Sequence, residues 1–193
     1  MESSERRISD GNQNGDGETA GAENESDARR VHQTIPKRFM RYGLEVHPDK
    51  TRIVDFRKPS PDRKEKPGTF DFLGFTFHWG WSVRYRDWFV KRRTASKKFK
   101  KAAVSITEWV RSNRHKPVWM QQRALAAKLR GHYAYYGIRG NYPCLLRFYR
   151  HTVLAWREWL SRRAQHRTTR WDQFIRILER HPLPRPRIVQ TSC

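Results

Sequence analysis

The stretch at residues 70–81, FDFLGFTFHWGW, is apolar in a chain that is otherwise strongly cationic. Seven of its twelve residues are Phe, Trp or Leu, and none is Lys or Arg. The large apolar residues occupy even positions up to Phe72 and odd positions from Leu73 onwards, and this alternation is the period of a β-strand. The phase changes at Leu73-Gly74, where glycine allows a bulge or a tight bend. With apolar residues continuing to position 90, the stretch predicts a strongly bent hairpin or small sheet with a buried apolar face.

The sequence before this stretch predicts a tail, a helix and one further strand. Residues 1–25 are rich in Glu, Asp, Gly, Ser and Asn, a composition that predicts a disordered acidic tail. Helix start signals at Ser26 and Asp27, followed by apolar residues at helical spacing, predict a helix that stops at Gly43. A turn at residues 47–50 then leads into a β-branched, aromatic segment at residues 51–56, which predicts a strand.

The sequence after the stretch is helical in pattern. Apolar residues recur at helical spacing in three successive segments, residues 99–110, 125–136 and 145–160, and a shorter fourth segment covers residues 171–178. We therefore expect an α+β fold that is mostly α, with a small antiparallel sheet followed by a bundle of three helices or so. The predicted divisions of the chain are 1–25, 26–93 and 94–188.

The charge of the chain points to a polyanionic partner. The formal net charge is +22; residues 1–30 carry eight acids and four arginines, whereas residues 31–193 carry 37 Lys or Arg and eleven acids. Such an excess favours nucleic acid. A membrane surface would also attract it, but no apolar run approaches the roughly 20 residues that span a bilayer. The two cysteines lie far apart and the histidines show no ligand spacing, so we expect no metal, no cofactor and a reducing, cytoplasmic location.

Basic clusters interleaved with aromatics supply the candidate contacts to nucleic acid. The first group comprises the clusters Lys91-Arg92-Arg93, Lys97-Lys98, Lys100-Lys101 and Arg162-Arg163, for which the alternative is a solvated surface. The second is the block RGHYAYYGIRGNY at residues 130–142, which is either an RNA platform of phenol and guanidinium groups or a helix end whose tyrosines pack inward. Lys50, in the predicted turn, is either a phosphate ligand or a surface lysine.

Several motifs, in this order, resemble the C-terminal part of bacterial group II intron-encoded proteins, which are reverse transcriptases with a maturase domain. The matching segments are DARRVHQTIPKRFMRYGLEVHPDKTRIVDF, GTFDFLGFTF, KRRTASKKFKKA, RGHYAYYGIRGNY, WREWLSRRAQ and LPRPRI, spread over about residues 26–188. The resemblance implies a palm remnant at residues 26–93 and a thumb, or maturase-specific domain, at residues 94–188. The primer-grip hairpin would lie at Phe72, Leu73, Gly74 and Phe75.

The same resemblance implies partners and contact residues. Lys50 would lie near the phosphates of an incoming nucleotide, and the helices after Thr94 would bind group II intron RNA and the template–primer. The residues expected to contact RNA are Lys91, Arg92, Arg93, Lys97, Lys98, Arg130, His132, Tyr133, Tyr136, Arg139 and Asn141.

One departure from the family limits the expected activity. The chain contains no Asp-Asp dipeptide, whereas the family's polymerases hold two metal ions with paired aspartates. We therefore expect no catalytic residue and no polymerisation by this chain alone. Two alternatives remain open beside an RNA-binding maturase fragment. One is the C-terminal half of a split RNA-directed DNA polymerase, completed by an upstream fingers–palm chain. The other is a non-functional remnant whose unpaired strand edges favour aggregation.

Overall fold

The computed structural model describes residues 22, 24–46, 51–59, 68–163 and 169–190. They form five helices and a three-stranded antiparallel sheet, which confirms a mixed α+β fold that is mostly helical. The chain divides into two compact units, Met1–Val90 and Lys91–Cys193. The predicted tail, apart from its last few residues, and the turn at residues 47–50 lie outside the described residues.

The first unit begins with helix α1, Glu25–Met40. Glu25 and Asp27 lie in its first turn and Lys37 and Arg38 in its last, an arrangement that complements the helix dipole. The helix continues through Pro36 and is followed by Gly43 at φ +69°. The predicted helix and its glycine stop are therefore confirmed.

The sheet of strands β1, β2 and β3 is arranged in chain order. The strands are Phe70–Phe72, Phe75–Ser82 and Asp87–Thr94, and β1 pairs with β2 so that Phe72 faces Phe75. Leu73 and Gly74, between them, have φ values of 47° and 78°. Two consecutive residues with positive φ are what a two-residue type I′ hairpin turn requires. The predicted tight bend is thus a hairpin turn between two strands.

Two expectations about the first unit are wrong. Residues 51–56 form no strand; instead the Phe56 ring packs 4.9 Å from the Phe70 ring and 5.4 Å from the Trp79 ring, and Trp79 donates a hydrogen bond to the Phe56 carbonyl. The apolar face of the hairpin is also not fully buried. Its aromatic side chains stay partly exposed, and Trp81 keeps 45% of its surface in solvent. A strand forms only beside a pairing strand, and an apolar face is buried only where another element packs on it. Local sequence specifies neither of these partners.

The described residues of the second unit form four helices, which confirms the four predicted helical segments. They are α2 Ser96–Ser112, α3 Val118–Tyr136, α4 Tyr142–Ser161 and α5 Trp171–Arg180. The first three form a bundle, and the short α5 contributes Phe174 to their common core. The largest fully buried side chains of this core are Trp156, Tyr133, Phe174, Leu125, Leu129 and Leu145.

The proline-rich segment after α5 closes the bundle along α3. Leu183 is buried, Tyr133 donates a hydrogen bond to the Pro184 carbonyl, and the Gly137 carbonyl accepts one from the Val189 N–H at 2.7 Å. At Gly137 an added Cβ would collide with the Tyr133 carbonyl oxygen and would lie only 3.0 Å from the Arg187 carbonyl oxygen in the proline-rich segment. The chain can therefore pass this closely only because residue 137 has no side chain.

Candidate nucleic-acid interface

Nearly all of the net positive charge belongs to the second unit. Residues 91–193 contain 25 Lys or Arg and only four acids, Glu108, Glu158, Asp172 and Glu179. Two of those acids, Glu158 and Asp172, form ion pairs with arginines, at 2.8 Å and 3.5 Å. Carboxylates of this unit are therefore far too few to neutralise its surface, and a polyanion would do so.

The N-terminal end of α2 concentrates this charge. Lys97, Lys98, Lys100 and Lys101 are exposed in its first turns, and no acid lies in its first turn. The helix dipole places partial positive charge at the same end, and lysines three or four residues apart repel one another. A helix start normally favours acids, so this arrangement opposes helix stability and suits an anionic ligand.

Arg147 of α4 adds to the lysines at this end of α2. Its Cζ lies 4.0 Å from the centre of the Phe99 ring, and Arg147 itself is exposed. Reasoning from the sequence did not select Arg147. The only sequence signal is its place outside the apolar stripe of α4; the packing of α4 on α2 brings it to Phe99. We define Lys97, Lys98, Lys100, Lys101 and Arg147 as the α2 cationic patch.

Most of the other predicted basic contacts lie on the surface of the second unit. Lys91 and Arg93 are exposed on β3, with Arg92 half-buried between them. Arg130 is exposed on α3 and Arg139 is exposed in the turn after it. The predicted primer-grip residues, Phe72 to Phe75, form the β1–β2 turn of the first unit. Lys50 lies outside the described residues.

The predicted aromatic contacts of α3 point toward the core. Tyr133 is 2% exposed, and burial raises the pKa of its phenol. The His132 ring stacks on Phe148 with centroids 3.9 Å apart, and burial lowers the pKa of His132 to about 4. Tyr136 is half-buried beside His132. These side chains are accounted for by packing, which was one of the two interpretations that the sequence left open.

Asn141 is fully buried rather than part of the surface. Its side chain makes hydrogen bonds to Thr94 and to the Tyr136 carbonyl. A buried amide with these partners has no face left for a ligand. We therefore omit Tyr133 and Asn141 from the proposed RNA surface.

A second group of arginines surrounds Trp159 near the end of α4, and of these only Arg162 belongs to a basic cluster selected from the sequence. The Cζ atoms of Arg111, Arg114 and Arg162 lie 5.6, 5.7 and 4.6 Å from the centre of its indole ring. Arg111 lies in α2, Arg114 in the following turn and Arg162 directly after α4, so only the folded bundle brings them together. Guanidinium groups over an aromatic face are held by cation–π attraction.

The described residues contain no group of three or more His, Cys, Asp or Glu placed to hold a metal ion. Within the same residues, no helix has the length and apolar character needed to cross a bilayer. Comparison of the chain with protein-family models, with curated proteins and with solved structures finds no match.

Proposed function

We propose that this chain is an RNA-binding fragment of the maturase type, which binds and stabilises structured group II intron RNA for splicing. The observation that carries the proposal is the α2 cationic patch, where exposed lysines crowd the positive end of a helix dipole. Phosphate groups would relieve both the dipole and the mutual repulsion of the lysines. On this view the second unit is the thumb, or maturase, part of the family, and the first unit is a palm remnant with its primer grip.

The proposed mechanism is indirect. Lysines and arginines of the second unit neutralise phosphates, and each neutralised phosphate adds a salt-dependent increment to affinity through counterion release. Exposed aromatics such as Trp119 and Tyr135, 55% and 48% exposed, offer faces for stacking of loop bases. The intron RNA performs its own cleavage and ligation, and the protein favours its folded state by binding that state more tightly.

The first experiment compares two RNAs over a range of salt concentrations. The purified chain is titrated with a structured group II intron RNA from its own host and, separately, with an unrelated RNA of the same length. A preference for the intron RNA that persists at physiological salt supports the proposal. Equal affinities that decline together as salt rises would show only a general polyanion-binding surface, and the maturase assignment would be withdrawn.

A second candidate function is that of a split polymerase subunit. The apolar surface of the first unit favours it, because Val83, Tyr85 and Phe89 are 84%, 64% and 43% exposed. Contiguous exposed apolar surface commonly marks an interaction site. The test is whether an open reading frame lies directly upstream and ends just past a Tyr-x-Asp-Asp motif. If so, the two chains should co-purify and polymerise together; if no such frame exists, this candidate fails.

A further inference from the structure

A groove of about 340 Å³ runs along α4, away from the α2 cationic patch. It is lined by Leu154, Arg157, Glu158, Ser161 and Arg162, residues that recur on one side of α4 at spacings of three and four. Its volume is at the lower end of the range for small-ligand sites. The lining combines one aliphatic side chain with two guanidinium groups, one carboxylate and one hydroxyl.

Both arginines of this groove are held in place by indole rings. The Arg157 Cζ lies 4.8 Å from the centre of the Trp171 ring, and the Arg162 Cζ lies 4.6 Å from the centre of the Trp159 ring. A guanidinium that rests on an aromatic face keeps its N–H groups directed sideways, where they can contact an anion. Since the side chains are already restrained, less conformational entropy is lost when they bind.

Two donors next to the groove have no acceptor within the described part of the chain. They are the Nε–H of Arg157 and the indole Nε1–H of Trp159, and both atoms are buried. Buried donors are normally paired. The unpaired Nε–H of Arg157 can therefore donate a hydrogen bond to a ligand that supplies an acceptor. Phosphate oxygens are strong acceptors for guanidinium groups.

The charges around the groove also favour an anion. Arg111 and Arg114 lie over the same Trp159 ring as Arg162, whereas the groove lining includes a single carboxylate, Glu158. Glu158 pairs with Arg162 at 2.8 Å, in a pair whose side chains are 52% and 57% exposed. Arg163 does not add to this set, because its guanidinium donates hydrogen bonds to the Arg114 and Lys116 carbonyls.

We propose that the α4 groove is a second RNA contact, in which Arg157 and Arg162 bind a phosphate of the RNA backbone and Glu158 competes with that phosphate for Arg162. The inference rests on the proposed function, since it names a further site for the same ligand. RNA is favoured as the occupant because the groove lies on a unit with 25 Lys or Arg and four acids. This excess of positive charge attracts a polyanion.

The test uses three variants of the full chain. Arg157→Gln with Arg162→Gln should weaken binding to the intron RNA several-fold. It should also reduce the slope of log affinity against log salt by roughly 0.7 to 0.9, the increment for one phosphate. Glu158→Gln should have the opposite effect and strengthen binding, because it removes the competitor and adds a positive increment of net charge. Arg123→Gln with Arg176→Gln, at exposed positions of α3 and α5, is the charge-matched control and should change affinity by less than about twofold.

The outcomes separate this inference from the proposed function. If the wild-type chain binds both RNAs equally but the groove variants still shift affinity in opposite directions, the maturase assignment fails and the groove proposal stands. If the wild-type chain prefers the intron RNA and the groove variants behave like the Arg123→Gln, Arg176→Gln control, the groove proposal is overturned alone. Weaker RNA binding by the Glu158→Gln variant would also overturn the groove proposal, because that result is expected if the Glu158–Arg162 ion pair only stabilises the fold.

A competition experiment distinguishes RNA from small phosphates. Inorganic phosphate and ATP are added at millimolar concentration to the wild-type complex and, separately, to the free chain. Weak displacement that follows ionic strength supports an RNA backbone site. Saturable binding of ATP that is lost in the Arg157→Gln, Arg162→Gln variant, with RNA affinity unchanged, would assign the groove to a free nucleotide. An acidic peptide that competes better than RNA of the same charge would assign it to a protein partner.

Discussion

Asn141 joins the end of β3 to the start of α4 through Thr94, 47 residues earlier in the chain. Its Oδ1 accepts a hydrogen bond from the Thr94 backbone N–H at 2.9 Å, and its Nδ2 donates one to the Thr94 Oγ1 at 2.9 Å. The same Nδ2 donates to the Tyr136 carbonyl at 2.8 Å, at the end of α3. One buried amide thus connects the end of β3, the end of α3 and the start of α4.

Asn141→Ala should therefore destabilise the second unit. The change leaves the Thr94 N–H and the Tyr136 carbonyl without their partner, and each buried unpaired group costs about 1–3 kcal/mol. We expect a loss of about 2–4 kcal/mol in the free energy of unfolding, measured in urea. Arg123→Ala, at an exposed position, should change it by no more than about 0.5 kcal/mol. Unchanged stability together with weaker RNA binding would instead restore Asn141 to the RNA surface.

Gln121 plays a comparable part near the start of α3. Its Oε1 accepts the indole N–H of Trp156 at 2.9 Å, and its Nε2 donates to the Arg114 and Lys116 carbonyls at 3.1 and 2.7 Å. Gln121→Met and Trp156→Phe should each destabilise the unit by about 2–4 kcal/mol. Because the two side chains share a buried hydrogen bond, their double-mutant cycle should show a coupling of about 0.5–3 kcal/mol. Strict additivity would contradict that pairing.

Because His132 is half-buried, the stability of the second unit should depend on pH. Burial against Phe148 lowers its pKa to about 4, whereas an unfolded histidine titrates near pH 6.5. Unfolding therefore takes up a proton between these values, so the contribution of neutral His132 is complete above about pH 6.5 and is lost progressively toward pH 4. Urea unfolding across this range should show the decline. His132→Phe, which keeps an aromatic ring against Phe148, should flatten it; an identical decline in both proteins would assign the effect to other groups.

Charge reversal at the α2 cationic patch should change stability and RNA affinity in opposite directions. Lys97→Glu with Lys98→Glu should weaken intron RNA binding several-fold at modest salt. The same change places acids at the positive end of the helix dipole, which should stabilise α2 by about 0.3–1 kcal/mol per charge. The matched control is Arg176→Glu with Arg180→Glu on α5, which changes net charge equally. Equal losses of affinity in the two variants would mean that total charge, rather than the end of α2, controls binding.

The backbone conformation of Leu73 in the β1–β2 turn is unfavourable for leucine. Leu73 adopts φ 47°, in a region that disfavours residues other than Gly, Asn and Asp. Leu73→Asn should stabilise the hairpin by about 0.5–1 kcal/mol, and Gly74→Val, at φ 78°, should destabilise it by more. Hydrogen exchange of the β2 amides should slow in the first variant and accelerate in the second. Faster exchange in Leu73→Asn would show that the Leu73 side chain contributes more than its backbone conformation costs.

The sequence by itself determined the elements whose signals are local. Apolar residues at a period of 3.6 predicted α2, α3, α4 and α5, and the change of phase at Leu73-Gly74 predicted the turn between β1 and β2. The Gly43 stop of α1 was predicted in the same way. These signals depend only on residues close together in the sequence, so they can be recognised without knowledge of the tertiary structure.

Only the tertiary structure decided what each element contacts. Residues 51–56 have the composition of a strand but find no ladder, because strand formation depends on a pairing partner elsewhere. Asn141 looked like a surface residue in a Gly- and Tyr-rich block, yet its partner Thr94 lies 47 residues away. Likewise, Arg147 becomes a candidate ligand only because α4 packs on α2 and brings it over the Phe99 ring. Hydrogen bonds and ring contacts between distant residues form when helices pack, and spacing along the chain does not specify them.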